Sequence, residues 1–110
     1  VCSCQNIIES DGSVYPCDFY AYDEYKLGSI TENTFDEIHK SRKAEKFIRE
    51  STIVNKECIE CEYRSLCCNG CKKHRDIEHK NRFCKTYKDF FGKHTNKFRE
   101  ISQMLINGNL

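Results

Sequence analysis

The stretch Cys58-Ile59-Glu60-Cys61-Glu62-Tyr63-Arg64-Ser65-Leu66-Cys67-Cys68-Asn69-Gly70-Cys71, followed further on by Cys84, decides how this chain must be built. Without Cys68 its spacing is Cys-x2-Cys-x5-Cys-x3-Cys-x12-Cys. A two-residue gap lets the backbone turn and aim two thiolates at one soft metal centre, and further cysteines complete a four-sulfur shell. Five ligands are one too many for a single shell. If Cys58, Cys61, Cys67 and Cys84 form one shell, then Cys71 is free to join Cys2 and Cys17 in another. Cys4 and Cys68 then read as spare thiols or small buried residues.

The rest of the composition explains why the cysteines are needed. A chain of 110 residues suits one domain, 1–110, but buries only about two-thirds of the surface its unfolded form exposes. Leu, Ile, Val and Phe total 24 residues and charged residues make up 32%, close to the balance at which chains stay disordered. Covalent or metal cross-links are the usual supplement to so small a core, and nine cysteines are available.

Two other uses of the thiols compete with a redox metal. A secreted disulfide scaffold is disfavoured by the odd count, the lack of a secretory signal at Val1-Cys2-Ser3-Cys4 and the close Cys58-x2-Cys61 pair. A zinc-knuckle binding module has the same sulfur-rich spacing and stays open beside iron. Eighteen basic and 17 acidic residues leave a net charge of +1, interspersed along the chain, so no basic field for nucleic acid exists. No apolar run approaches the ~20 residues of a membrane span. Cytoplasmic origin fits these features, and the missing initiator Met with Cys2 so near the start reads as a fragment of a longer chain.

Working outward, Ile7-Ile8 and Val14-Tyr15 flank Ser10-Asp11-Gly12-Ser13, the turn chemistry of a β-hairpin that separates Cys2 from Cys17. Pro16 cannot donate a ladder hydrogen bond, so the second strand ends there and delivers Cys17 and Asp18 at its mouth. Leu27-Gly28-Ser29-Ile30 reads as a loop or short edge strand. Thr34 and Glu37 form a capping-box pattern, with Phe35, Ile38 and Arg42 on one face of a short helix. A second helical stretch covers Ala44 to Glu50. Between Val54 and Phe83 apolar periodicity vanishes, which predicts a loop organised by its ligands. From Thr86 the residues Tyr87, Phe90, Phe91, His94, Phe98, Ile101 and Leu105 recur at helical spacing, with Thr86 and Asp89 as a capping pair. This helix of roughly 20 residues is expected to pack its aromatic stripe on the hairpin or on a neighbouring domain. The fold class is therefore α+β: a small metal-organised domain with an N-terminal hairpin, a short helix, a cysteine-rich loop and a long C-terminal helix.

Other chemistry is sparse. His74 follows Cys71 closely, but His74 and His79 sit among charged residues and read as solvated. His94 reads as a packed core residue and His39 as a surface residue of the first helix. No phosphate loop, serine elbow or His-Glu-x-x-His pair is present. The nearest echo of the radical-generating Cys-x3-Cys-x2-Cys motif, Cys67-x3-Cys71-x2-His74, ends in histidine. By itself the chain cannot start radical chemistry.

Several segments together resemble one family. Asp11-Gly12-Ser13-Val14-Tyr15-Pro16-Cys17-Asp18, Leu27-Gly28-Ser29-Ile30, the five-cysteine run with Asn69-Gly70-Cys71-Lys72-Lys73-His74-Arg75, and Asn81-Arg82-Phe83-Cys84 before an aromatic helix look like the SPASM region of anaerobic sulfatase-maturating enzymes. The cysteine order alone points to the wider SPASM class of radical peptide-modifying enzymes, and the segments around Cys17 and Cys71 point to the sulfatase-maturating branch. Lys72 stands where that family has proline, a departure that touches no ligand.

The resemblance implies a C-terminal auxiliary domain with two [4Fe-4S] clusters. Cys58, Cys61, Cys67 and Cys84 would hold the second, and Cys2, Cys17 and Cys71 would hold the first. The fourth ligand of the first cluster would precede Cys2, so the site in this stretch would be empty, exchanged for another metal, or completed by Cys4 or water. S-adenosylmethionine and a third cluster would belong to a radical barrel in the same chain, and the other partner would be a sulfatase polypeptide. The implied reaction turns a sulfatase cysteine or serine into formylglycine. A 5′-deoxyadenosyl radical removes hydrogen from Cβ, a base takes the thiol or hydroxyl proton, and an electron leaves. The family's base maps to Asp18.

Overall fold

The hairpin forms where its turn chemistry predicts. In the computed structural model, which describes residues 1–108, β1 (Ile7–Ile8) pairs antiparallel with β2 (Ser13–Tyr15), Ile7 opposite Tyr15 and Ile8 opposite Val14. Asp11 accepts hydrogen bonds from the Ser13 backbone N–H at 2.8 Å and from its hydroxyl at 2.9 Å. These bonds hold the Asp11 carboxyl below its ordinary range. Gly12 takes φ +82° at the tip, a conformation that side chains resist. β3 (Gly28–Ser29) pairs with the other edge of β2, giving the antiparallel order β1-β2-β3.

Pro16 ends β2 as its missing N–H requires, although its carbonyl still accepts from Gln5 N–H at 2.8 Å. Cys17 is extended and Asp18 opens a 3-10 turn, Asp18–Tyr20, closed by Tyr20 N–H to Cys17 C=O at 2.9 Å.

The capping box is complete. Thr34 Oγ1 accepts from Glu37 N–H at 3.3 Å while Glu37 Oε2 accepts from Thr34 N–H at 2.7 Å, starting α1 (Phe35–His39). His39 is exposed and bonds Asn6 Oδ1 at 2.9 Å. Arg42 does not share the face of Ile38 on α1. Ser41 caps a new helix by accepting from Ala44 N–H at 3.2 Å, so Arg42 is the first residue of α2 (Arg42–Ser51). Val14, Leu27, Ile38 and Ala44 form the core, with Cys4 packed against it. Tyr20 lies edge-on to Tyr25 at 4.8 Å and to Phe47 at 5.1 Å. These elements make up one compact unit, Val1–Val54.

Asn55–Leu110 is a second unit. The expected ligand loop contains two one-turn helices, α3 (Lys56–Ile59) and α4 (Arg64–Cys67), then a 3-10 turn, Lys72–His74, and a bridge between Arg75 and Asn81. α5 (Cys84–Ile106) runs 23 residues. Thr86 and Asp89 lie inside it and are not its capping pair. Asn81 Oδ1 takes the Phe83 N–H at 3.0 Å and the Asn81 carbonyl takes the Cys84 N–H at 2.9 Å, so the chain enters the helix ahead of Thr86. No residue of α5 is buried. His94 is accordingly not a core residue: it is exposed, with its ring 4.9 Å from Phe90 and 6.3 Å from Phe98. Tyr63 reaches the stripe from outside the helix, 5.9 Å from Phe91. No helix among the described residues is long and apolar enough to cross a membrane.

Two outcomes test this account. Ile38 is 1% exposed and Phe35 is 49% exposed, so Ile38→Ala is expected to cost about 2–5 kcal/mol in urea unfolding and Phe35→Ala clearly less. The Glu37 carboxyl is held below its ordinary value of 4.5 by the Thr34 N–H and hydroxyl. Its contribution to stability is therefore present above pH 4.5 and lost as pH falls through the lowered value, where the unfolded chain already binds the proton. Glu37→Gln is expected to flatten that part of the acid limb when urea midpoints are followed from about pH 5 to about pH 3.

Candidate metal centre

Four cysteines of the second unit are placed by four different local devices. Asn55 caps α3 by accepting from Glu57 N–H at 2.9 Å, and its amide donates to Glu78 C=O at 2.8 Å, which sets Cys58 on that turn. Cys61 follows α3, and its carbonyl accepts from Arg64 N–H at 3.0 Å as α4 begins. Cys67 closes α4, its N–H bonded to Tyr63 C=O at 2.8 Å. Cys84 opens α5.

Between Cys67 and Cys71 the backbone makes three successive left-handed residues, Cys68 at φ 50°, Asn69 at φ 64° and Gly70 at φ 60°. For non-glycine residues this conformation costs about 1–2 kcal/mol each. Arg75 clamps the run, Nε donating to Asn69 C=O and Nη2 to Gly70 C=O, both at 3.1 Å. The buried Asn69 side chain accepts from Cys58 Sγ at 3.3 Å and donates to His79 C=O at 3.1 Å. Sequence reasoning passed over Asn69, Arg75 and Asn81 as site-building residues. The Asn69-Gly70 pair carried the signal, since Asn-Gly favours left-handed backbone.

The electrostatics place three other thiols near Cys58. Burial pushes the Cys58 thiol above its ordinary value, and Cys84, Cys61 and Cys67 add to the rise in that order. Lys80, held up chiefly by its hydrogen bond to Glu57, places a cation near Cys84 and Cys58. The four are half-buried and free. Among the described residues no three His, Cys, Asp or Glu side chains converge to hold a single metal ion. A tetrahedral zinc at about 2.3 Å would draw its sulfurs to within about 3.8 Å of each other. Four cysteine thiols are also the donor set that ligates a four-iron cluster, so the chemistry of these residues fits one.

Cys2 and Cys17 lie in the first unit. Cys2 N–H donates to Ser51 Oγ at 2.8 Å, and Cys4 is half-buried beside it, its thiol pushed up by burial and then by Cys2. Cys71 belongs to the second unit and begins the Lys72–His74 turn. Asp18 is exposed directly after Cys17. Cys68 is exposed, and its Sγ lies 3.4 Å from Ser65 C=O. His79 is exposed at φ 60°, whereas His74 is half-buried and not solvated as expected, because its ring meets Phe83 edge-on at 5.2 Å.

Residues 2–62 match the SPASM model, an iron-sulfur cluster-binding domain. The chain belongs to the SPASM family. It is 41% identical over 109 residues to the cysteine-type anaerobic sulfatase-maturating enzyme of Clostridium novyi (strain NT), covering 94% of this chain and 29% of that enzyme. To the serine-type anaerobic sulfatase-maturating enzyme of Klebsiella pneumoniae it is 30% identical, over 82% of this chain and 22% of the relative. A solved structure, native anSMEcpe with bound AdoMet and Kp18Cys peptide, matches with a TM-score of 0.88 at 38% identity, over 93% of this chain and 30% of that one. This SPASM chain thus spans less than a third of the relatives it matches.

Gly70 offers a direct test of the loop. It sits at φ +60°, and a Cβ there would overlap the Asn81 side chain. Gly70→Ala is expected to disorder the stretch from Cys58 to Cys84, seen as loss of amide dispersion confined to those residues and faster alkylation of their thiols.

Proposed function

We propose that this chain is the auxiliary-cluster portion of an anaerobic sulfatase-maturating enzyme, serving a radical S-adenosylmethionine barrel elsewhere in the same polypeptide. The reading is carried by the nearness of Cys61, Cys67 and Cys84 to Cys58, each delivered by a separate segment. The likeness to the cysteine-type relative supports the branch, at 41% against 30% for the serine-type one, and favours a cysteine target. The second [4Fe-4S] cluster would be held by those four cysteines. Cys2, Cys17 and Cys71 would serve a first cluster, with a further ligand from preceding chain. When bound, the clusters would supply electron acceptors of tunable potential. Cytoplasmic work fits thiols that must stay reduced.

The residues of this chain would then divide the remaining tasks. Pro16 ends the strand and the Cys17 carbonyl closes the following turn, which fixes the backbone of Asp18 directly beside Cys17. Asp18 is exposed, so a polypeptide substrate can reach its carboxyl oxygens. There it would accept the substrate's thiol proton as the sulfatase segment is oxidised towards formylglycine, provided it comes within hydrogen-bond reach, directly or through one water.

Iron and sulfide analysis of anoxically prepared protein, with its visible spectrum, tests the cluster assignment: stoichiometric zinc without sulfide would return the chain to a structural binding module. In the full-length enzyme, Asp18→Asn is expected to keep iron content and cleavage of S-adenosylmethionine while aldehyde formation falls about 100-fold or more. Near-normal aldehyde yield would make Asp18 a turn residue only.

A further inference from the structure

Asn81 has a buried donor with nothing to bond. The residue is 3% exposed, and its Nδ2 has no hydrogen-bond partner among the described residues. The amide cannot be reversed to repair this, because Phe83 N–H donates to Oδ1 at 3.0 Å and so identifies the oxygen. Nor is there slack on the Gly70 side, where even a methyl group would overlap Nδ2. A buried N–H left unpaired forfeits its hydration with no return, and native chains rarely keep one. The missing acceptor has to come from something bound at this place.

The surroundings indicate its charge. Asn81 lies between the Gly70 turn, whose N–H bonds Cys67 C=O at 2.9 Å, and Cys84, whose N–H bonds Asn81 C=O at 2.9 Å. Cys84 begins a 23-residue helix whose N-terminus has no side-chain cap. The positive end of that helix dipole therefore lies beside the Asn81 side chain, whose Oδ1 takes the Phe83 N–H. Lys80, one residue before Asn81, adds a cation near Cys84 and Cys58. Donor, dipole and cation all favour an electron-rich acceptor, and thiolate or sulfide sulfur is the acceptor these ligands would bring.

We infer that Asn81 Nδ2 donates an N–H···S hydrogen bond to the centre held by Cys58, Cys61, Cys67 and Cys84, and that this bond raises the reduction potential of the centre. The inference rests on the ligand assignment proposed above. Reduction adds negative charge to the sulfurs, so a donor fixed against them stabilises the reduced form more than the oxidised one.

The test uses anoxically iron-loaded protein, with the paramagnetic signal of this centre identified by its loss in Cys84→Ala. Asn81→Leu keeps the volume and removes the donor. Its potential is expected to shift negative at unchanged iron and sulfide content, with loss of one exchangeable-proton coupling in pulsed paramagnetic resonance after transfer to deuterated water. An unchanged potential at full iron content would overturn the inference and point to a buried water as the acceptor, leaving the ligand assignment standing. Absence of iron and sulfide from the unsubstituted protein would overturn the ligand assignment itself. If Asn81→Leu fails to hold iron, protein labelled with 15N in its asparagine amides gives the answer. A nitrogen hyperfine coupling to the centre is expected, and its absence would sink the proposal.

Discussion

Four thiols brought together in a unit with no apolar interior are the constraint on which the second half of this chain depends. Every buried hydrophobic residue among those described lies between Val14 and Phe47, in the first unit. Among its described residues the second unit buries two side chains, Asn69 and Asn81, and both are amides that serve the cysteine turns. Nothing there supplies the hydrophobic term that normally offsets chain entropy. The thiols oppose their own gathering as well, since ionising one raises the cost of ionising the next. A cationic iron core, if bound there as proposed, would reverse the sign of that interaction and make ligand binding and folding one process.

The first unit works on ordinary terms. Ile38, Val14, Leu27 and Ala44 pack a core that needs no metal, and its polar ends are satisfied locally by the Thr34 and Glu37 box and by the Asp11 turn. Its cysteines are attached to this self-sufficient frame: Cys2 through Ser51 at the end of α2, and Cys17 through the strand stop at Pro16. Positions on such a frame hold their place before a cluster arrives, whereas Cys58, Cys61 and Cys67 sit on or beside one-turn helices that would not persist alone.

This contrast explains what could be read from residues alone. The hairpin, the strand stop at Pro16 and the Thr34 cap were legible because each is decided by neighbours within a few positions. The α+β class followed from them and from the aromatic period of α5. The one-turn helices around Cys58 and Cys67 were illegible because four residues are too few to show a period. Thr86 and Asp89 misled because Asn81 bonds both Phe83 and Cys84 and starts the helix sooner, a competition no local pattern displays. His94 shares the helical period of buried residues, but a period states which face a residue occupies and not whether anything covers it. The cysteine spacing raised the expectation of a metal centre at once. The amides and the guanidinium that shape it were hidden, because Asn and Arg in a polar loop look like any solvated surface.

The geometry around Gly70 gives the reason this loop tolerates strain. Three left-handed residues in succession separate Cys67, at the end of α4, from Cys71, at the start of the next turn, and break the helix between them. A regular helix would instead place these two cysteines, four apart, on one face. Arg75 holds two carbonyls of the turn, and Asn69 uses its side chain on Cys58 and His79, so the strained backbone is tied to both sides of the loop. Gly70 has to be glycine twice over, for its φ of +60° and for the room it leaves Asn81. The same residue that permits the turn therefore also makes room for the buried Asn81 amide, and a change at Gly70 disturbs both.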